Sequence, residues 1–115
     1  MNTAYHALVT VRADCEAVHD RIMEWLSDSK FRVEIQSRKS RIVALYPGWH
    51  GFGITDAQTA SELEVLLKDL GDKTAVSFYH HTRRFFIMTA AMFGHILETE
   101  VEDLIGFLEQ KYEII

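Results

Sequence analysis

The sequence predicts an α+β domain, an antiparallel sheet of four or five strands with helices packed on one face. Three observations carry that prediction. Residues 31–35 and 74–82 alternate between apolar and polar side chains, as a strand with one wet face does. Val18, Ile22, Trp25 and Leu26 recur at helical spacing near the start of the chain. Leu97, Val101, Leu104, Ile105, Leu108 and Tyr112 repeat that spacing near its end, with Glu98, Glu102, Glu109 and Glu113 on the opposite face.

Length and composition bound the function classes. At 115 residues, the chain is read as one domain spanning 1–115. Its 48% hydrophobic and 25% charged residues suit a globular protein rather than a disordered one. Twelve Lys and Arg against 17 Asp and Glu give a net charge of −5, which argues against nucleic acid as the main partner, because phosphate binding needs clustered cations. A lone cysteine, Cys15, excludes an internal disulfide and suits a reducing compartment. Met1 to His6 lacks the basic start and apolar run of a signal peptide. The longest apolar region, Phe85 to Leu97, is stopped by Glu98 well short of the roughly 20 apolar residues that cross a bilayer. The expectation is a cytoplasmic protein without a membrane span.

Taken in order, Ala4 to Arg12 reads as a strand with β-branched Val9 and Val11. Asp14 is placed to cap a helix over 15–27, its carboxylate accepting first-turn N–H bonds. Phe31, Val33 and Ile35 then alternate with Arg32, Glu34 and Gln36, and Arg41 to Tyr46 forms the returning strand. A two-residue loop would pair Ile35 with Ile42, Val33 with Ala44 and Phe31 with Tyr46, all six on one face. Pro47 to Gly53 holds three glycines, the only proline, Trp49 and Phe52, and reads as a loop.

Ser61 to Leu70 supports two structures. Ser61-Glu62-Leu63-Glu64 has the form of a capping box, and Leu63, Leu66, Leu67 and Leu70 have helical spacing. Equally, Leu63, Val65 and Leu67 alternate with Glu62, Glu64 and Lys68. A turn at Gly71-Asp72 would then pair Leu67 with Val76, Val65 with Phe78 and Leu63 with His80. The helix gives a ferredoxin-like βαββαβ core plus a C-terminal helix. The strand gives a two-layer β-α-β-β-β-β-α domain, an antiparallel sheet holding a long C-terminal helix that starts near Ala90.

A strand (Ile42 to Tyr46), a Gly-aromatic loop (Gly48-Trp49-His50-Gly51-Phe52-Gly53), Glu62-Leu63-Glu64-Val65, a Gly71-Asp72-Lys73-Thr74 turn and a strand from Ala75 to Tyr79 follow one another. In this order of elements the chain resembles small uncharacterised prokaryotic proteins with a TATA-box-binding-protein-like or helix-grip fold. The resemblance implies the β-α-β-β-β-β-α order and a cavity, and it names no reaction. Phe85 to Phe93 is more apolar than that pattern.

In either topology, the strands ending at Tyr46 and Thr82 finish on one rim, where Tyr5, His6 and Phe31 also lie. That rim gathers His6, His50, His80 and His81 beside Trp49, Phe52 and the Arg83-Arg84 pair. Polar and aromatic groups at the mouth of an apolar sheet are the usual lining of a small-ligand site. The expected ligand-binding residues are Tyr46, Trp49, His50, Phe52 and His80, for a small apolar or anionic ligand. Weighed against this, His80 reads equally as a satisfied core residue, and His81 as a cross-strand partner of Glu62 or Glu64.

No metal site is expected: sequential His80 and His81 point to opposite faces, and no ligand spacing supports a metal. No cofactor is expected either, since the chain has no phosphate-binding glycine loop. No catalytic residue is assigned, because the chain lacks a nucleophile elbow and paired carboxylates on an apolar strand. Cys15 sits in a first helical turn that would lower a thiol pKa, but Asp14 and Glu16 oppose the shift. Continued as a helix, Phe85, Met88, Met92 and Ile96 make an apolar stripe that one sheet cannot cover, and the expectation is a homodimer surface there. The leading reading is a non-enzymatic ligand-binding or interaction module, ahead of a purely structural homo-oligomer and, last, an enzyme.

Overall fold

In the computed structural model, residues 4–37, 40–46, 61–82 and 90–115 are described, with Thr82 and 90–96 as backbone alone. The elements run β1 (Ala4–Val11), α1 (Cys15–Asp28), β2 (Arg32–Ser37), β3 (Arg41–Tyr46), β4 (Ser61–Asp69), β5 (Thr74–Thr82) and α2 (Ala90–Glu109). The five strands form one antiparallel sheet in the order β1-β5-β4-β3-β2. Both helices lie on one face of it, giving a two-layer α+β domain of the β-α-β-β-β-β-α order.

Ser61 to Asp69 is a strand, so the ferredoxin-like alternative is excluded. Leu63 pairs with His80, Val65 with Phe78 and Leu67 with Val76, in the expected register. The reason lies in what each structure buries. The strand puts Leu63, Val65 and Leu67 into the core. Leu66 and Leu70, needed only for the helical stripe, are left partly in water, Leu66 at 46% exposure. The reversal at 70–73 is closed by Leu70 N donating to Lys73 O (2.9 Å), with Gly71 at φ +95°, a conformation that favours glycine.

Asp14 caps α1 as expected, its Oδ1 accepting from Ala17 N at 2.9 Å. The other end is a Schellman motif: Phe31 N donates to Leu26 O (2.9 Å) and Lys30 N to Ser27 O (3.2 Å), around Lys30 at φ +66°. This cap turns the Phe31 ring back towards Trp25, 5.6 Å between centroids.

One expected register fails. Val33 pairs with Ala44, but a bulge between Val33 and Ile35 sets Ile35 opposite Val43 and Gln36 opposite Ile42. Ile35 is therefore 50% exposed, and Gln36 turns to the helix side, where its Oε1 lies 3.0 Å from Nε2 of buried His19. A polar partner for a buried imidazole replaces the apolar contact that alternation alone predicts. Phe31 precedes β2 instead of pairing within it, yet its ring still meets Tyr46 at 5.4 Å.

The core between sheet and helices joins Val18, Ile22 and Leu26 of α1, Ile42, Leu63, Val65, Val76 and Phe78 of the sheet, and Val101, Leu104 and Leu108 of α2. Each such side chain contributes about 1.5–3 kcal/mol on burial. Cys15 is part of this core, 2% exposed, as a small apolar residue. Arg21 locks the two helices together, with its guanidinium 3.5 Å from the centroid of the Phe107 ring and Nη2 donating to Phe107 O at 2.9 Å.

α2 ends at Glu109 rather than near Tyr112, and the last residues turn back onto β1. Ile114 bridges Val11, with Arg12 N donating to Glu113 O and Ile115 N donating to Thr10 O, each at 2.8 Å. No helix is long and apolar enough to cross a membrane among the described residues.

Candidate functional site

The pairing of Tyr46 with Ser61, and of Ser61 with Thr82, places the ends of β3 and β5 and the start of β4 side by side. The common rim anticipated from the topology therefore exists. Two residues in from it, a row of the sheet facing the helices runs Tyr5, His80, Leu63, Ala44 and Val33. His80 is fully buried in that row, with the Phe31 ring 6.0 Å away and Tyr46 5.4 Å from that same ring. Trp25 completes a continuous aromatic run from α1 to the rim.

α2 supplies the polar half of the site. His80 Nδ1 donates to the carbonyl of Leu97 at 3.3 Å, which directs Nε2 towards Glu100, 3.6 Å from its Oε1. Burial, with the negative charge of Asp103 adding to it, pushes the Glu100 carboxyl up to about 7. Glu100 is thus poised to gain or lose a proton near neutrality beside a buried imidazole. It also lines a recess of about 510 Å³ between the C-terminal end of α1 and the middle of α2, with Trp25, Ser29, Thr99, Glu102 and Asp103. Two hydrogen bonds frame this recess. Trp25 Nε1 donates to Asp103 Oδ2 and the Tyr5 hydroxyl to Glu102 Oε1, both at 3.0 Å. The bond to Glu102 holds the Tyr5 phenol above its ordinary pKa, with smaller contributions from burial and from the charges of Glu102 and Glu98.

The four rim histidines do not form one group. His80 faces the helices, whereas His6 and His81 lie on the outer face. There the His6 ring meets Tyr79 edge-on at 4.3 Å, and His81 Nε2 lies 3.2 Å from Glu62 Oε2. The cross-strand partner foreseen for His81 is thus present. Trp49, His50 and Phe52 lie outside the described residues, as do Phe85 and Met88 and the side chains of Met92 and Ile96. Among the described residues, no group of three His, Cys, Asp or Glu side chains is arranged to hold a metal ion.

Sequence reasoning missed Glu100, Trp25 and Asp103. The signal for Glu100 was available: it lies three residues after Leu97 and four before Leu104, on the buried stripe of α2. A carboxylate at such a position is costly to bury and marks a polar feature in the core.

No family model matches the chain, and no curated protein sequence does. Its architecture, however, is that of known structures. The chain is similar to the crystal structure of Ara h 8.0201, with a TM-score of 0.71 at 5% identity over 96% of this chain and 97% of that one. The solution structure of the Aha1 dimer from Colwellia psychrerythraea gives a TM-score of 0.52 at 12% identity, covering 90% of this chain and 92% of that one. The Zhui aromatase/cyclase from Streptomyces sp. R1128 gives 0.50 at 16% identity, covering 96% and 93%. At such identities the likeness is one of fold, and the shared fold is the helix grip, a sheet closed against a long C-terminal helix.

Proposed function

We propose that this protein is a non-enzymatic small-ligand-binding module whose site lies between the 47–60 loop, the end of β5 near His80 and α2. The observation that supports it best is the convergence at one rim of Tyr46, Phe31 and buried His80 with Glu100 of α2, beside the recess that Glu100 and Trp25 line. A core assembled for stability alone gains nothing from a carboxyl and an imidazole on facing elements, since apolar side chains of the same volume would pack there at no electrostatic cost. The helix-grip fold, shared with an aromatase/cyclase, is consistent with a small-ligand site.

Between the two ligand chemistries that the sequence admits, the recess favours the apolar one. Glu100, Glu102 and Asp103 line it, and no basic side chain does so among the described residues. An anion entering past them meets like charge, whereas an uncharged ring or chain meets Trp25 and the carboxyl of Glu100, which is half-protonated near neutral pH.

The uncharged probe N-phenyl-1-naphthylamine tests this reading, because its emission rises when it leaves water for an apolar site. A saturable rise is expected with the native chain, together with an upward shift of the thermal midpoint. Both effects are expected to fall sharply in His80→Ala and in Trp49→Ala. A native chain that neither enhances the emission nor gains thermal stability, with this probe or with a medium-chain fatty alcohol, would overturn the proposal.

A further inference from the structure

The outer strand β1 has the properties of an unguarded edge. Among the described residues its one partner strand is β5, with an unbroken register from Ala4↔His81 to Val11↔Thr74. The Ile115–Thr10 and Arg12–Glu113 hydrogen bonds show which residues turn their backbone away from β5. In an antiparallel strand these alternate, so the N–H and C=O groups of Ala4, His6 and Leu8 point to the same free side. Among the described residues, nothing pairs with those three.

Natural edges are usually blunted by charge, proline or a bulge. The opposite edge of this sheet follows that rule, since β2 carries Arg32, Glu34 and the break at Val33/Ile35. β1, Ala-Tyr-His-Ala-Leu-Val-Thr-Val, has no Asp, Glu, Lys, Arg or Pro and no bulge. Leu8 is 70% exposed at its middle, next across Ser77 to the half-exposed Leu66. The C-terminal residues already show that this edge accepts an antiparallel strand, and their pairing stops at Thr10.

We propose that the free edge of β1 pairs with β1 of a second copy, joining two five-stranded sheets into one continuous sheet about a two-fold axis. A copy of the same chain fits for two reasons. The chain carries a net charge of −5, so two copies repel at most surfaces, but each presents here a strand without a fixed charge. Antiparallel pairing is also the geometry that a two-fold axis generates, and it closes on itself instead of growing into a fibre. An axis at His6 pairs His6 with the partner's His6 and Ala4 with the partner's Leu8, so the paired residues 4–8 stop two short of Thr10, where the C-terminal contact begins.

Sedimentation equilibrium of the full chain over a wide concentration range tests the proposal. The native chain is expected at twice the 13.3 kDa of one copy. Leu8→Lys puts a charge at the contact, and Leu8→Pro removes a free-side N–H without touching the β1–β5 bonds. Both are expected at the mass of one copy, whereas Ile35→Lys on the opposite edge stays a dimer. The exposed Leu8 side chain makes Leu8→Lys neutral to the folding of one copy, which an unchanged circular dichroism spectrum checks, so this variant decides even if Leu8→Pro unfolds. The proposal is overturned by a native chain that is monomeric throughout. It is equally overturned by a dimer that survives Leu8→Lys, which would move the contact to another surface, such as Phe85 to Ile96.

Discussion

Replacing Glu100 by Gln removes one ionisation from the interface between sheet and helix while keeping size and polarity. The carboxyl titrates at about 7 in the fold, against 4.5 when free of it. That difference corresponds to about 3 kcal/mol. Its sign follows from proton binding. The folded chain holds this proton more tightly than the unfolded one, so the contribution to stability is fully present below pH 4.5 and is lost as the pH rises to 7. Glu100→Gln has no such loss. Urea unfolding followed by tryptophan fluorescence, at a series of pH values from 4.5 to 8, should show the variant gaining on the native chain. The gain should reach about 3 kcal/mol at pH 8, or about 10 °C in the thermal midpoint. Other carboxylates titrate in both chains, so the difference between the two curves isolates this residue. A difference that stays flat across the range, or a native chain that is the more stable at pH 8, would refute the argument.

Two further perturbations test the packing that builds the site. Lys30→Gly should stabilise the chain by about 0.5–1 kcal/mol, read as a higher urea midpoint at unchanged slope, because the φ of +66° strains any residue with a Cβ. Trp25→Phe removes the Nε1–Asp103 hydrogen bond and keeps an aromatic ring, which should cost about 1–2 kcal/mol in urea unfolding followed by circular dichroism.

Much of the scaffold was legible because the signals are local. Asp14 announces α1, and the alternation of Leu63, Val65 and Leu67 fixes the β4–β5 register once Gly71 is given the turn. Opposite faces for His80 and His81 follow from strand geometry alone. The failures are those of distant contacts. Ile35 continues a clean alternation, and nothing nearby says that Gln36 will be turned inward to meet His19, seventeen residues earlier. Glu100 reads as one more acid on a helix rich in them until β5 sets His80 against it. Of the binding residues inferred from sequence, Tyr46 and His80 both meet the Phe31 ring, whereas Trp49, His50 and Phe52 fall outside the described residues.

The neighbouring positions of Tyr46, Ser61 and Thr82 carry a consequence for engineering. The segments 47–60 and 83–89 both join the sheet there, while at the opposite end Ser40 N donates to Ser37 O and Leu70 N to Lys73 O. That junction is the rim of the proposed site, and both segments are outside every ladder pairing of the five strands. A combinatorial library confined to those two insertions could be screened for new specificities without altering a single ladder pairing, much as hypervariable loops are diversified on an immunoglobulin scaffold.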